Sequence, residues 1–371
     1  MSVSDSSSWP IQVSSLASDS IENYTCHKIR NLMKTIWISY LLKRTLDILS
    51  PLFIPPERTK GRYSFADIPV KVSFEKSNVV FYGVPIDIST SFGRGTLRGP
   101  EAIRFTSARQ IETFLLDEGL DIYELARIYD IGDLKIPQSV KYLRRSPSKV
   151  ASNLAYIGNK IHKITSLIQG ADKVPVLMGG EHTLSYYTLK ALSDKKPLVI
   201  HFDAHRDMKP EYEGMKMCHT TPFYHIINDG YIPGKNIIQI GIRQTDREEN
   251  EIAKKNQIMT FDAWEVHDRI DNLLRYIRKA TYKANIYISF DIDVYDLPYV
   301  PCTGTPEPFG LDPFEVVKII KNICSSAKLV GVDIVEVGLR NGDYREGTVA
   351  SQTLLRILSK LIPRQNLVST K

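Results

Sequence analysis

The stretches LVIHFDAHRD (198–207) and NIYISFDIDVYD (285–296) each join a short apolar run to a group of acidic side chains. Apolar runs of this length, without polar alternation, are typical of buried strands in a parallel sheet. Four more such runs lie at 79–83, 174–178, 237–242 and 328–335. Helical patterns separate the runs, at 100–116, 153–167, 184–192, 264–280, 313–325 and 348–361. This alternation predicts an α/β domain with a mostly parallel sheet and helices on both of its faces.

Composition and charge exclude several classes of protein. The chain has 371 residues, and its 48 basic and 42 acidic residues give a formal net charge of +6 without a basic block of the kind that binds nucleic acid. The four cysteines are scattered and form no CxxC pair, so neither a disulfide framework nor a structural zinc cluster is expected. This cysteine usage favours a reducing compartment, and we expect a cytoplasmic protein.

The N-terminal region is expected to differ from the α/β domain. Residues 1–20 are rich in Ser and Asp, which is typical of disorder. The segment 35–53 is apolar but contains Lys43, Arg44 and Asp47, so it falls short of a membrane span and predicts an amphipathic helix. We therefore expect an N-terminal extension over 1–50, one large domain over 51–363 and a C-terminal tail over 364–371.

Acidic and imidazole side chains follow three of the predicted strands. Asp203 and Asp291 come directly after two of the runs, and in an extended chain each shares a face with the residue two positions later. The strand ends therefore collect four carboxylates and two imidazoles, from His182, Asp203, His205, Asp207, Asp291 and Asp293.

Four carboxylates held this close raise one another's pKa strongly unless cations neutralise them. Two divalent cations would balance the four charges, and oxygen and imidazole ligands without thiolates favour Mn²⁺, with Co²⁺, Ni²⁺ or Zn²⁺ as competitors. A lone Asp-x-His is more often structural, but three such groups at three strand ends favour a metal centre.

The motifs around these side chains resemble those of the ureohydrolases, the arginase and agmatinase family. The matching runs are MGGEHT (178–183), HFDAHRD (201–207), SFDIDVYD (289–296) and TGTPEP (303–308), within a resemblance that spans about residues 50–363. It implies a three-layer αβα sandwich, two manganese ions per subunit, and hydrolysis of a guanidino group to urea and an amine by a hydroxide that bridges the ions. It assigns one ion to His182, Asp203, Asp207 and Asp291, and the other to Asp203, His205, Asp291 and Asp293.

The same resemblance assigns three further side chains, each with a plainer structural alternative. His219, in CHTTPF (218–223), matches a catalytic histidine that gives a proton to the leaving amine; the alternative is a solvent-facing loop histidine. Glu336 matches a glutamate that holds the guanidinium; the alternative is a salt bridge to Arg340 or Arg345. Thr305 matches a threonine near the substrate, or is a turn hydroxyl. The expected catalytic residues are thus His219, Glu336 and Asp207, and the expected substrate contacts are Glu336, Thr305 and His219.

The segment DMKPEYEGMKMCHTTPF (207–223) resembles that of agmatinases and lacks the Thr/Ser/Asn-rich loop with which arginases bind the amino-acid end of their substrate. The resemblance therefore implies agmatine as substrate and putrescine and urea as products. Glu211 and Glu213 are either a site for a distal ammonium group or solvated surface charges. Aminopropylagmatine, arginine and guanidinobutyrate are alternative substrates.

Some positions differ from the family pattern without removing a ligand. Glu181 stands where the family has Asp, and Thr220 where it has Gly or Ala, and both are expected to alter the surroundings of the site. Gly338 and Arg340 lie in a segment that replaces an Asn-Pro run. Cys302 lies where small residues are usual, which suggests that oxidation could affect activity.

Competing functions predict different observations. A zinc deacetylase-like amidohydrolase would bind one ion per subunit instead of two. A non-catalytic relative would release no urea from any guanidino compound, and a nucleic-acid-binding protein would lose affinity steeply with salt. The resemblance also implies a homo-oligomer, a trimer or hexamer, that acts on a small guanidino molecule and has neither nucleic acid nor membrane as a partner.

Overall fold

The computed structural model describes residues 37–67, 72–141 and 146–361. The chain divides into two compact units, Met1–Arg44 and Thr45–Lys371. The first described helix, α1, covers residues 37–49, within the segment where an amphipathic helix is expected. The disorder expected at 1–20 and the tail expected at 364–371 lie outside the described residues. Within the described ranges, no helix combines the length and the apolar character needed to cross a membrane.

Among the described residues, a sheet of nine strands forms the centre of the second unit. The strands in chain order are β1 (Phe53–Ile54), β2 (Val79–Val84), β3 (Phe114–Leu115), β4 (Leu120–Asp121), β5 (Ile128–Leu134), β6 (Val174–Gly179), β7 (Leu198–Phe202), β8 (Ile237–Ile242), β9 (Met259–Asp262), β10 (Asn285–Asp291) and β11 (Lys328–Val335). Their order across the sheet is β1-β5-β2-β6-β11-β10-β7-β8-β9, and β3 and β4 form a separate hairpin. Neighbouring strands of the large sheet are parallel, except that β1 is antiparallel to β5.

Helices cover both faces of the sheet, as the alternating sequence pattern predicts. The described helices after α1 are α2 (Gly99–Arg109), α3 (Ile122–Leu125), α4 (Gln138–Lys141), α5 (Pro147–Gly170), α6 (Leu184–Leu192), α7 (Pro222–Asn228), α8 (Arg247–Lys255), α9 (Ala263–Ala280), α10 (Pro313–Asn322) and α11 (Arg345–Leu361). Along β10, Ile286 and Ile288 join a core with α2, α9, α10 and α11, whereas Tyr287 joins a second core with α6 and α7. The side chains alternate between two apolar layers because both faces of the strand are buried.

The predicted strands at 198–202, 237–242 and 328–335 have the predicted bounds, and those at 79–83, 174–178 and 285–290 extend by one residue. Strands β5 and β9 were not predicted. β5 interrupts its apolar run with Asp130 and Asp133, and β9 is a short strand at the edge of the sheet. Helix α2 ends at Arg109 instead of continuing to 116, because the chain turns there into the β3–β4 hairpin, where Thr113 donates to Asp121 at 2.6 Å.

The sheet topology brings four segments of the sequence together. Strands β6, β11, β10 and β7 are consecutive neighbours and all parallel, so their carboxyl ends lie along one edge. The residues that follow these strands carry the predicted ligands and Glu336. In parallel α/β sheets this edge is where ligands bind.

A buried ion-pair cluster joins α2 to β5, the strand that pairs with β2. Arg104 is 5% exposed and donates to the two oxygens of Asp130 at 2.7 and 2.9 Å and to Asp133. Asp130 also accepts the backbone N–H groups of Phe65 and Gly132. The cluster satisfies a buried guanidinium and a buried carboxylate together, so removing one partner leaves the other charge uncompensated.

We predict that Arg104→Met lowers the free energy of unfolding by about 3–5 kcal/mol, because Asp130 would remain buried without its partner. Denaturant-induced unfolding of the variant and the wild type measures the change. The matched control is Arg98→Met, which removes an exposed pair with Glu101 and is expected to cost less than about 1 kcal/mol. Equal effects of the two substitutions would contradict the prediction.

Candidate metal centre

A cavity of about 170 Å³ opens at the carboxyl edge of the central strands. Every predicted site residue except Asp203 lines it, and Asp203 is fully buried beside it. The lining residues are Ser91, His182, His205, Asp207, Lys209, Tyr212, His219, Thr220, Asp291, Asp293, Thr305 and Glu336.

Three of the predicted ligands converge on a ring nitrogen of a fourth, His182. His182 Nδ1 lies 3.1 Å from Asp203 Oδ2, 2.9 Å from Asp207 Oδ2 and 3.1 Å from Asp291 Oδ2. Among the described residues this nitrogen has no hydrogen-bond partner, although three carboxylate oxygens surround it. Ligand atoms that crowd together without hydrogen-bonding one another are the arrangement expected around a cation.

A second donor set lies on the other side of Asp203. His205 Nδ1 is 3.0 Å from Asp293 Oδ2 and 3.5 Å from Asp203 Oδ1. Asp203 thus turns one oxygen toward each set. Asp291 contacts the first set through Oδ2, and its Oδ1 accepts the backbone N–H of Asp293 at 2.9 Å.

Two of the site residues have left-handed backbone conformations that aim their side chains into the cavity. Asp207 has φ +54° and Glu336 has φ +58°. Residues other than glycine rarely adopt this backbone conformation. Those that do concentrate at functional sites, where the surrounding structure compensates for the strain. For Glu336 part of that support is its backbone N–H, which donates to the carbonyl of Gly180 at 2.8 Å.

The electrostatics of the site call for positive charge. Burial, and then the charge of Asp203, raise the pKa of Asp207 to about 7. Burial, and then Asp293 and Asp203, raise the pKa of Asp291 well above its ordinary value. Carboxylates in such surroundings remain ionised together only if cations compensate them. The donor set of oxygens and imidazoles, without thiolates, fits divalent ions of the manganese type.

Glu336 has one carboxylate oxygen in use and one available. Oε1 accepts the backbone N–H of His182 at 2.8 Å, whereas Oε2 is buried without a hydrogen-bond partner among the described residues. The alternative salt bridges are not formed: Arg340 donates to the carbonyls of Arg94 and Thr303, and Arg345 pairs with Asp343. Burial, and then the charge of Glu181, raise the pKa of Glu336 well above its ordinary value, so a cationic ligand would be strongly favoured beside it.

His219 is 7% exposed, so it is not a solvent-facing loop histidine. Its Nε2 lies 3.2 Å from the hydroxyl of Ser91, and its backbone N–H donates to Ser89 Oγ at 3.0 Å. Ser89 in turn donates from its hydroxyl and its backbone N–H to Glu181, at 2.6 and 2.7 Å. Glu181, which replaces the family's aspartate, thus accepts two hydrogen bonds from Ser89. Through Ser89 it holds the segment of His219 in place.

The remaining predicted residues occupy the rest of the cavity wall. Thr305 donates to Asp293 Oδ2 at 3.3 Å, so its hydroxyl contacts a ligand candidate. Thr220 lines the cavity, as its position beside the histidine predicts. Glu211 and Glu213 are exposed and do not line it, which favours the surface-charge alternative for both.

Several residues that support the ligands were not predicted. His182 Nε2 lies 3.1 Å from Ser289 Oγ, which donates to Asp333 at 2.8 Å. His205 Nε2 lies 3.6 Å from Glu307, a residue of the TGTPEP motif. Partners of this kind orient metal-binding imidazoles. Their sequence signals are weak, because Ser289 and Asp333 lie inside apolar runs that read as strands.

The model of the arginase family matches residues 77–358. The chain belongs to the arginase family. It is therefore an enzyme, an agmatinase-like ureohydrolase. The family resemblance predicted from the motifs is confirmed, and so is the predicted three-layer α/β fold.

Individual relatives agree with this assignment. The N(1)-aminopropylagmatine ureohydrolase of Thermus thermophilus is 31% identical over 287 residues, which cover 75% of this chain and 88% of that protein. The agmatinase of Pyrococcus horikoshii is 33% identical over 292 residues, which cover 78% and 93%. The solved structure of proclavaminate amidino hydrolase from Streptomyces clavuligerus matches this chain with a TM-score of 0.72 and 27% sequence identity, over 81% of this chain and 97% of that one.

Cys218, Cys302 and Cys324 differ in exposure and in the pKa of their thiols. Cys302 is buried, and burial raises the pKa of its thiol. Burial also raises the pKa of Cys218 to about 11. Cys324 is partly exposed, and its contact with Ser326 lowers the pKa of its thiol. Thiolates react faster than thiols, so this structure does not favour the oxidation sensitivity expected at Cys302.

We predict that a thiol reagent such as iodoacetamide modifies Cys324 of the folded protein well before Cys218 or Cys302. Peptide mapping by mass spectrometry after brief exposure at pH 7.5 measures the order. Cys324→Ser serves as the control, since it should remove the early product without exposing the other two thiols. Early modification of Cys302 in the folded protein would contradict the prediction.

Proposed function

We propose that the protein hydrolyses the guanidino group of agmatine to urea and putrescine with two manganese ions. The observation that supports this best is the placement of Asp203, whose two oxygens face two separate histidine-containing donor sets. A single ion would need only one of these sets. Glu336 and His219 line the same cavity, so the groups needed to hold a guanidinium and to move a proton are close at hand.

The residues proposed to hold the ions are His182, Asp203, Asp207 and Asp291 for one, and Asp203, His205, Asp291 and Asp293 for the other. Two such ions, when bound, supply a strong nucleophile from water near neutral pH. The protein contributes the buried carboxylates that bind them and the hydrogen bonds that hold the imidazoles in place.

The side chain of Glu336 is proposed to bind the guanidinium. Its buried Oε2 accepts no hydrogen bond from the described residues, and Oε1 has a second lone pair beside the one that His182 uses. A planar guanidinium donating to this carboxylate would be held in one orientation. A fixed orientation of the reacting carbon contributes to catalysis because less entropy is lost at the transition state.

His219 is proposed to donate the proton that the leaving amine needs. The hydroxyl of Ser91 at 3.2 Å from its Nε2 orients the ring, and the backbone bond to Ser89 fixes the segment. Asp207 is proposed to take up the proton that the attacking water releases. Thr305 is proposed to contact the substrate beside Asp293.

Agmatine is supported by the names of relatives and by the charges near the cavity mouth. Lys209, which lines the cavity, is paired with Asp246 and Glu249, so this side does not present an unpaired positive charge to an ammonium tail. The ring of Tyr212 is nearly perpendicular to the ring of His219, with centroids 6.2 Å apart, and forms an aromatic part of the cavity wall. Aromatic rings attract ammonium groups, which favours a cationic tail over a carboxylate. The longer aminopropylagmatine fits the same reasoning.

The remaining features follow from the family resemblance and stay proposals. They are a catalytic domain over 51–363, a trimeric or hexameric assembly, and action in the cytoplasm on a small guanidino molecule.

We predict that protein preincubated with Mn²⁺ releases urea from agmatine and that a chelator abolishes this activity. Glu336→Gln keeps the shape of the side chain but removes the charge that binds the guanidinium, and we expect kcat/KM to fall by at least about 100-fold. Urea release from agmatine, arginine, guanidinobutyrate and aminopropylagmatine, assayed side by side, measures activity and preference.

The matched control is Glu211→Gln, an exposed carboxylate outside the cavity, which should retain the activity of the wild type. Preference for another guanidino compound would keep the chemistry and change the substrate. No urea from any of the four compounds, with manganese bound, would refute the proposed activity.

A further inference from the structure

His201 of β7 is a buried imidazole to which neither the ligand sets nor the proposed proton transfers assign a role. Its Nε2 lies 2.7 Å from Asp203 Oδ2, the oxygen that also faces His182. Its ring stacks on Phe223 with centroids 3.8 Å apart. The ligand atoms of His182, His201 and Asp203 all lie within 4.8 Å of one another. By distance alone, His201 is either a third imidazole ligand or a hydrogen-bond donor to Asp203.

The second ring nitrogen distinguishes these roles. Gln239 Nε2 lies 3.2 Å from His201 Nδ1. The orientation of the Gln239 amide is fixed at both of its atoms by one residue: Arg206 Nη1 donates to Gln239 Oε1 at 2.7 Å, and Gln239 Nε2 donates to the carbonyl of Arg206 at 2.9 Å. A guanidinium only donates and a carbonyl only accepts, so the amide cannot be reversed without losing both bonds.

The orientation of the Gln239 amide fixes the direction of each hydrogen bond between Arg206 and Asp203. The amide donates to His201 Nδ1, so this nitrogen must accept and the proton of the neutral ring must be on Nε2. An Nε2–H group beside Asp203 Oδ2 donates to the carboxylate and has no lone pair to offer a metal ion.

We propose that Arg206, acting through Gln239, holds His201 in the Nε2–H tautomer, so that His201 orients the carboxylate of Asp203 and does not bind metal. His201, Gln239 and Arg206 are then positioning residues for the shared ligand. The description of Asp203 as shared between two ions rests on the proposed function, whereas the tautomer does not.

The sheet register places this chain of contacts. His201 is the direct neighbour of Gln239 across β7 and β8, and Gln239 is the direct neighbour of Thr260 across β8 and β9. Arg206 is 8% exposed and also donates to Thr260 Oγ1 and Asn250 Oδ1, each at 3.0 Å. The guanidinium is thus held by three side chains, and it belongs to the same motif that supplies His205 and Asp207.

The tautomer can be read directly. In full-length protein with ¹⁵N-labelled histidine and no added metal, the ring-nitrogen shifts of His201, assigned by their loss in His201→Gln, should report Nε2–H. In Gln239→Glu the carboxylate can accept from Arg206 but cannot donate to the ring, so we expect a proton on Nδ1. A wild-type ring with its proton on Nδ1 would overturn the proposal. This readout is independent of substrate and metal, so failure of the proposed activity would not affect it.

Manganese calorimetry provides the second readout. His201→Gln should weaken manganese binding about 10- to 100-fold while the number of bound ions stays the same, which is the size of effect seen when a partner of a ligand is removed. The control is Thr165→Val, which removes a buried hydroxyl bonded to Tyr82 away from the cavity and should leave the affinity unchanged. Loss of one ion from the stoichiometry in His201→Gln would make His201 a ligand, and unchanged affinity would leave it without a positioning role; either result overturns the proposal.

Discussion

The repulsion between buried carboxylates is the constraint on which this structure depends. Asp203, Asp207, Asp291, Asp293 and Glu336 are each at most 5% exposed and lie at or beside a single cavity. Burial and neighbouring carboxylates raise the pKa of Asp207, Asp291 and Glu336. The cluster is compatible with a folded interior because its negative charges are compensated. The compensating groups are the imidazoles, the backbone N–H groups and the cations that this donor set fits. Metal binding and stability are therefore expected to be coupled.

The parallel sheet is the device that assembles this cluster. Four neighbouring strands end at one edge, and each delivers one to three functional side chains to the site at a common cavity. The strands are buried on both faces, so the site rests on a rigid support. The turns after them then position the side chains, including the left-handed residues Asp207 and Glu336.

Behind the ligands lies a layer of buried polar groups that satisfy one another. Ser289 and Asp333 support His182, and Ser89 and Glu181 support the segment of His219. A buried polar group without a partner is costly, so such networks restrict which substitutions a site tolerates. This explains why a glutamate at position 181 is accommodated: its longer side chain finds three donors, on Ser89 and Thr183.

The strands, most helices and the candidate ligands could be predicted from sequence because these features are local. An apolar run predicts a buried strand, and an i, i+2 pair after it predicts two side chains on one face. Strand β5 and helix α8 lack such a local signal. The buried acids of β5 are paired with Arg104, which lies on another element, and six of the nine residues of α8 are charged.

The sequence by itself determined the family, the α/β class and the set of donors for a metal centre, because motif identity and periodicity are written along the chain. Only the tertiary structure decided how those donors are used. The contacts of Asp203 with both histidines, the available oxygen of Glu336 and the direction of the hydrogen bonds from Arg206 through Gln239 to His201 all depend on which strands are neighbours and in what register. Hydrogen bonds across a parallel sheet join residues dozens of positions apart, and no local pattern in the chain records those pairings.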